Sequence, residues 1–147
     1  MTTYYLEKGT LIPADKESPF LEINQSNFND FIHIIQQSID LFNSELMWND
    51  MFNMELSRDR ISMSHRMFIG IESNKVYGYF WVEDIDDSYY FYNLFTTKNV
   101  NRFGYTGRHL LSTVIMMVLF DKPCFGKIDE WNQKSINLVK KIGCILK

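Results

Sequence analysis

Cysteine is scarce: the 147 residues hold two, Cys124 and Cys144. Two thiols exclude a disulfide framework, and the pair reads as free core thiols of a reducing compartment. Proline is equally thin, at three residues, so few points force the chain out of regular structure. Charge of neither sign dominates, since 15 Lys and Arg against 18 Asp and Glu leave a net charge of −3. Without a basic surplus, the chain is not expected to hold nucleic acid by neutralising phosphates. Long apolar runs are missing too. Leu110–Phe120 is interrupted by Ser112 and Thr113 and falls well short of the ~20 residues of a membrane span. The opening MTTYYLEKGTLIPADKE has no basic segment ahead of an apolar one, so no secretory signal is expected and the protein is read as cytoplasmic.

What is present is core-forming material. Hydrophobic residues make up 46% and charged ones 22%, which excludes a disordered chain, and aromatics reach 16%. The length suits one domain.

Residues 1–18, punctuated by Gly9 and Pro13, read as an irregular N-terminal extension, and residues 19–147 as the domain. Phe20–Ile23 is a strand. Ser26 or Asn27 stands where a cap belongs, ahead of Phe28, Phe31, Ile32, Ile35, Ile39 and Phe42, which describe one helical face. A second helix is expected over Trp48–Leu56, with Trp48, Met51 and Phe52 inward. From Met67 the period shortens: MFIGIE, a Ser73-Asn74-Lys75 turn and VYGYFWVE predict a hairpin, and YYFYNLFTT (Tyr89–Thr97) a third strand. A helix over Gly107–Phe120, a strand over Cys124–Trp131, a helix over Asn132–Ile142 stopped by Gly143, and a strand from Cys144 complete the series. The expected class is α/β: a mixed sheet ordered β-α-α-β-β-β-α-β-α-β, with a parallel right-handed crossover between Tyr89 and Trp131.

The informative segment runs from Thr97 through Arg102-Phe103-Gly104-Tyr105-Thr106-Gly107-Arg108 to His109-Leu110-Leu111. A strand, a glycine-containing turn and a helix start gather backbone N–H groups at the positive end of the helix dipole, a setting that suits a diphosphate. Arg102 and Arg108 add charge-assisted donors. A tight turn shaped by Gly104 and Gly107 alone explains the same glycines.

This segment resembles the GCN5-related N-acetyltransferase (GNAT) family. Its members carry Arg or Gln, two variable residues, Gly, one variable residue, and Gly or Ala at the start of the central helix. Gly107 matches the last position and Arg102 the first, while Tyr105 stands at the first glycine and Gly104 is displaced by one residue. Asn132-Gln133-Lys134-Ser135 with Leu138, Lys140-Lys141 and Gly143 is similar to the family's late motif, in which the Asn lies near the pantetheine where two parallel strands splay apart. Val139 occupies the place of the family's frequent catalytic Tyr. The resemblance spans roughly Phe20–Leu146. It implies acetyl-CoA as cosubstrate, with its diphosphate on Phe103–Arg108 and Arg102, and its pantetheine near Thr97 and Asn132. An amine is the expected acceptor and Glu130 a candidate general base, with Glu83 a weaker one. Relatives usually continue through two C-terminal strands, so one strand is expected to be missing or very short and a sheet edge left open to a protein partner or second copy. The alternative is a catalytically inactive GNAT-fold structural or assembly protein, such as a phage virion component, binding partners through that edge.

No metal is expected, because His33, His65 and His109 show no ligand spacing. His33 and His109 read as helix-surface residues. The acidic stretch Glu83, Asp84, Asp86 and Asp87 reads as a solvated hairpin tip, and Tyr89–Tyr92 as core packing and a protein-facing patch.

Overall fold

The computed structural model describes residues 1–45 and 52–147. The strands are β1 (Thr2–Leu6), β2 (Phe20–Ile23), β3 (Arg66–Glu72), β4 (Lys75–Ile85), β5 (Ser88–Thr96), β6 (Cys124–Ile128) and β7 (Ile145–Leu146), and the helices are α1 (Ile32–Glu45), α2 (Met54–Ser62), α3 (Gly107–Met117) and α4 (Gln133–Lys141). They form a single mixed sheet in the order β2-β3-β4-β5-β6-β1-β7.

The meander β2–β5 is antiparallel throughout, and Ser73 and Asn74 turn the β3–β4 hairpin with φ of 51° and 62°. β4 is buried on both faces, which is why VYGYFWV shows no polar alternation. Its side chains divide between two cores. Tyr77, Phe80 and Val82 pack with Leu110, Leu111 and Ile136 under α3 and α4, while Tyr79 and Trp81 pack with Ile35, Ile39 and Phe42 under α1.

The helices differ from expectation at their starts. Asn27 does not cap: its Oδ1 accepts from the Asn24 N–H (2.9 Å), and a 3-10 turn over Phe28–Phe31 leads into α1. Of the helix expected over Trp48–Leu56, Trp48 and Met51 lie outside the described residues and Phe52 is buried. α2 begins at Met54, because Asn53 Oδ1 accepts the Leu56 N–H at 2.8 Å and fixes the start there.

The largest correction concerns the N-terminus. Thr2–Leu6, expected to be irregular, is a strand paired antiparallel with β6 from Thr2–Ile128 to Leu6–Cys124, and with β7 at Tyr4–Leu146 and Tyr5–Ile145. It therefore stands between β6 and β7, where the sequence suggested a missing strand. Buried Tyr4 and Leu6 hold it in the core, and their spacing of two was the only local signal. The rest of residues 1–18 is a strap along α3. Ala14 N–H donates to Ser112 Oγ (2.9 Å) and Ser18 N–H to Thr113 Oγ1 (3.0 Å), so the two hydroxyls that interrupt the apolar helix receive the strap's backbone. β7 is the sheet edge, two residues long, with Ile145 and Leu146 exposed.

Candidate active site

Two features of β5 open the sheet. β5 and β6 are parallel neighbours across α3 but pair only at Tyr89–Cys124 and Tyr90–Phe125. Beyond Tyr90, β5 keeps to β4 while β6 keeps to β1 along its whole length, so the strands diverge and the β6-facing backbone of β5 has no ladder partner. The second feature is a bulge: Tyr79 faces Phe95 and Trp81 faces Tyr92, so Phe80 stands opposite both Asn93 and Leu94, and Asn93 takes φ 54°.

A cavity of about 500 Å³ lies at this divergence. Phe42, Phe52, Tyr79, Tyr90, Tyr92 and Phe95 give it an aromatic wall, and Arg60, Asn93, Lys127, Asp129, Asn132 and Ser135 are its polar contributors. Burial pushes the Tyr92 phenol up to about 12 and also raises those of Tyr79 and Tyr90. These phenols stay protonated across the physiological range.

At the helix start, Thr106 caps α3. Its hydroxyl accepts the His109 N–H (3.4 Å), and its own N–H donates to His109 Nδ1 (3.0 Å). An N–H can only donate, so Nδ1 is the acceptor and the imidazole proton sits on Nε2. That nitrogen faces Asp15 Oδ1 at 2.6 Å and, chiefly through this hydrogen bond, holds the carboxyl below its ordinary value. His109 is therefore not a plain surface residue but the link between the helix cap and the strap. The Gly107 and Arg108 N–H groups have no acceptor among the described residues, and Arg108 Nε is buried without a partner. Unpartnered N–H groups at a helix N-terminus suit an anion.

The other residues singled out in the sequence are distributed as follows. Thr97 is buried past the end of β5, with its N–H on Tyr77 O (2.9 Å) and its hydroxyl on the Glu45 carboxylate, which also takes the Lys98 N–H (2.6 Å). That hydroxyl ties α1 to β5 and does not line the cavity. Arg102 is exposed, and Phe103 packs on Tyr77 with ring centres 5.5 Å apart. Gly104 has φ +77°, a conformation that favours glycine. The Tyr105 ring lies against Tyr77 (5.5 Å) under the Lys16 ammonium (5.1 Å). Gly107 is buried, and a Cβ there would meet Leu138, Thr96 and Leu94 at 3.2–3.5 Å. Its bareness serves the packing of α3 on β5 and α4. Asn132 caps α4, accepting the Ser135 N–H at 3.2 Å, and lines the cavity. Glu130 is exposed in the β6–α4 turn outside the cavity wall, and Val139 is buried.

Sequence reasoning missed the aromatic wall, Arg60 and Asp129. Tyr90 and Tyr92 were visible as a same-face pair by their spacing of two, but Phe42, Phe52 and Tyr79 come from other elements and carry no common local signal.

Structural comparison reads this architecture directly. The chain matches a crystal structure of an aminoglycoside acetyltransferase from an uncultured soil metagenomic sample in complex with trehalose, with a TM-score of 0.62 and 17% identity over 88% of this chain and 89% of that one. It also matches a putative acetyltransferase from the GNAT family of Novosphingobium aromaticivorans (TM-score 0.61, 9% identity, 99% of this chain and 59% of that one). The fold is the GNAT fold. A functionally unknown conserved protein from Staphylococcus epidermidis shares it (TM-score 0.58, 9% identity), and the chain, covered over 99%, spans 57% of that protein's length. No family model and no curated protein sequence matches the chain. In this GNAT fold the parallel pair β5/β6 diverges after Tyr90, and α3 starts from a Thr106 cap after the end of β5.

Proposed function

We propose that this protein is an acyl-CoA-dependent N-acyltransferase that moves an acetyl group from acetyl-CoA to an amine. The observation that carries this reading is the divergence of β5 from β6 after Tyr90, with a cavity at the opening. A pantetheine arm is an extended chain of amides, and the unpaired edge of β5 offers it the hydrogen bonds of a missing strand. Asn132 lies beside that path. The Phe103–Arg108 turn, with the Gly107 and Arg108 N–H groups and the guanidinium groups of Arg102 and Arg108, would hold the diphosphate. Backbone N–H groups at the Asn93–Leu94 bulge suit the oxyanion that forms as a neutral amine attacks the thioester carbonyl. The acceptor amine would lie against the aromatic wall.

One observation favours a second reading, in which the fold persists without chemistry and serves as a structural or assembly component. The Asp15 carboxylate, carried by the strap, sits beside the first turn of α3, where a diphosphate would have to tolerate it. In that case the exposed β7 edge is the partner surface.

Ligand-dependent melting separates the two. Acetyl-CoA at ~100 times its Kd should add about 2.7 kcal/mol of stability. Arg102→Glu, at an exposed position, should weaken the shift while leaving the melting of the free protein nearly unchanged, and adding Arg108→Glu should abolish it. A bulky residue at Gly107 reads packing instead, because Leu138 fills the space. Absence of any shift at millimolar acetyl-CoA overturns the acyltransferase reading.

A further inference from the structure

Tyr92, which lines the same cavity, heads a chain of three polar groups that runs away from it. Tyr92 Oη lies 2.6 Å from His65 Nδ1, and His65 Nε2 lies 3.4 Å from Glu83 Oε2. The three residues come from separate elements, β5, the α2–β3 turn and β4. An ionised carboxylate only accepts, so the imidazole tautomer that suits this chain has its proton on Nε2, on the Glu83 side, and leaves Nδ1 to accept from the Tyr92 hydroxyl. The Tyr92 ring is held by the Arg60 guanidinium over its face (5.1 Å) and by edge-on contact with the imidazole (5.8 Å). His65 itself is largely shielded, with 17% of its side chain exposed. Two other phenols end on simple acceptors, Tyr89 on Asp121 and Tyr77 on Pro19 O. Tyr92 instead ends on a base that has a carboxylate behind it, and it lines the cavity two residues past the last β5–β6 rung.

We propose that Tyr92, His65 and Glu83 form a proton relay that deprotonates the acceptor ammonium, with Tyr92 as the catalytic contact and His65 and Glu83 as positioning residues. The proposal rests on the acyl-transfer reading above. Tyr92 Oη takes one proton from the substrate ammonium as its own proton passes to His65 Nδ1, and the resulting imidazolium is stabilised by Glu83. The freed amine attacks the thioester, the C–N bond forms, the C–S bond breaks, and the second nitrogen proton ends on the departing sulfur. The imidazolium then returns its proton to solvent through Tyr92, which restores the starting state. The relay supplies a proton acceptor on the cavity, which Glu130, outside the cavity wall, does not.

The charged and titratable groups set against His65 are Glu83 from β4 and Tyr92 from β5, and those set against the Tyr92 ring are Arg60 from α2 and Tyr90 from β5. The test uses the full chain, acetyl-CoA, a panel of primary amines and a thiol reagent that reads released coenzyme A between pH 5.5 and 9. Wild-type kcat/KM should rise with pH along one acid limb. Tyr92→Phe should lower kcat about 10²–10³-fold with little change in KM for acetyl-CoA. His65→Gln should lower kcat similarly and change the pH profile, because turnover then follows only the free-amine fraction of the substrate. Glu83→Gln should lower kcat with little change in KM for acetyl-CoA, and Glu83→Asp should restore part of it, a rescue no packing defect produces. Turnover by His65→Gln with the wild-type pH profile overturns the relay and leaves the acyl-transfer reading standing, whereas wild-type protein that binds no acetyl-CoA removes both. Nitrogen NMR gives a readout free of turnover: the Nε2–H tautomer of His65 is expected at neutral pH, and the Nδ1–H tautomer overturns the proposal.

Discussion

Single residues set how closely the parts of this fold approach. Gly78 faces Thr96 across the ladder just beside the bulge, and a Cβ there would stand 2.6 Å from the backbone oxygen of Phe95. A carbonyl in a ladder cannot swing aside as a flexible side chain can. Gly78→Ala should therefore destabilise by roughly 1–3 kcal/mol in urea unfolding, the usual cost of overpacking. A loss below a few tenths would show that β5 yields freely at this point. Gly104 and Gly107 were both legible as turn glycines, but for different reasons than one motif suggests. Gly104 answers a positive φ, a local demand. Gly107 answers Leu138 on a helix 31 residues away in the chain, a demand no local reading shows.

At the scale of elements, boundaries are set by caps more than by hydrophobic period. Thr106, Asn132 and Asn53 each accept a backbone N–H three positions on, and each marks a helix start to the residue. Thr106→Ala should cost about 1 kcal/mol and Thr106→Ser little, read as a shift in the urea midpoint. Equal losses in both variants would mean that the hydroxyl is not the cap. The strands β3, β4 and β5 were legible because their turns are polar and short and their apolar runs dense. α2 was not. MELSRDRIS buries only Ser57 and Ile61, too few apolar positions to trace a stripe, so its limits came from Asn53 rather than from periodicity.

For the whole molecule, the strap and β1 tie the first 18 residues to both ends of the domain, and titration should report those ties. Asp15 and Asp121 are held below their ordinary value of 3.8, chiefly by hydrogen bonds from His109 and Tyr89. A depressed carboxyl contributes stability that is present above the unfolded value and lost as pH falls through the folded one. The urea midpoint should thus be flat above about pH 5 and fall below pH 4, and Asp121→Asn should flatten part of that fall. At the alkaline end burial raises Cys124 and Cys144 from 9.0 to about 12, so their contribution is intact below pH 9 and lost between pH 9 and about 12. Replacing both by Ala should reduce the alkaline slope. An unchanged slope would mean that the thiols ionise without opening the core. The amino-acid order by itself determined the succession of strands and helices from Phe20 onward, the glycine turn before α3 and the helix stop at Gly143, because each is written in neighbours a few positions apart. Only the tertiary structure decided that β1 fills the place between β6 and β7, that Asp15 reaches His109, and that Tyr92 meets His65 and Glu83. Those contacts join residues tens of positions apart whose meeting depends on which strands diverge and which faces are buried.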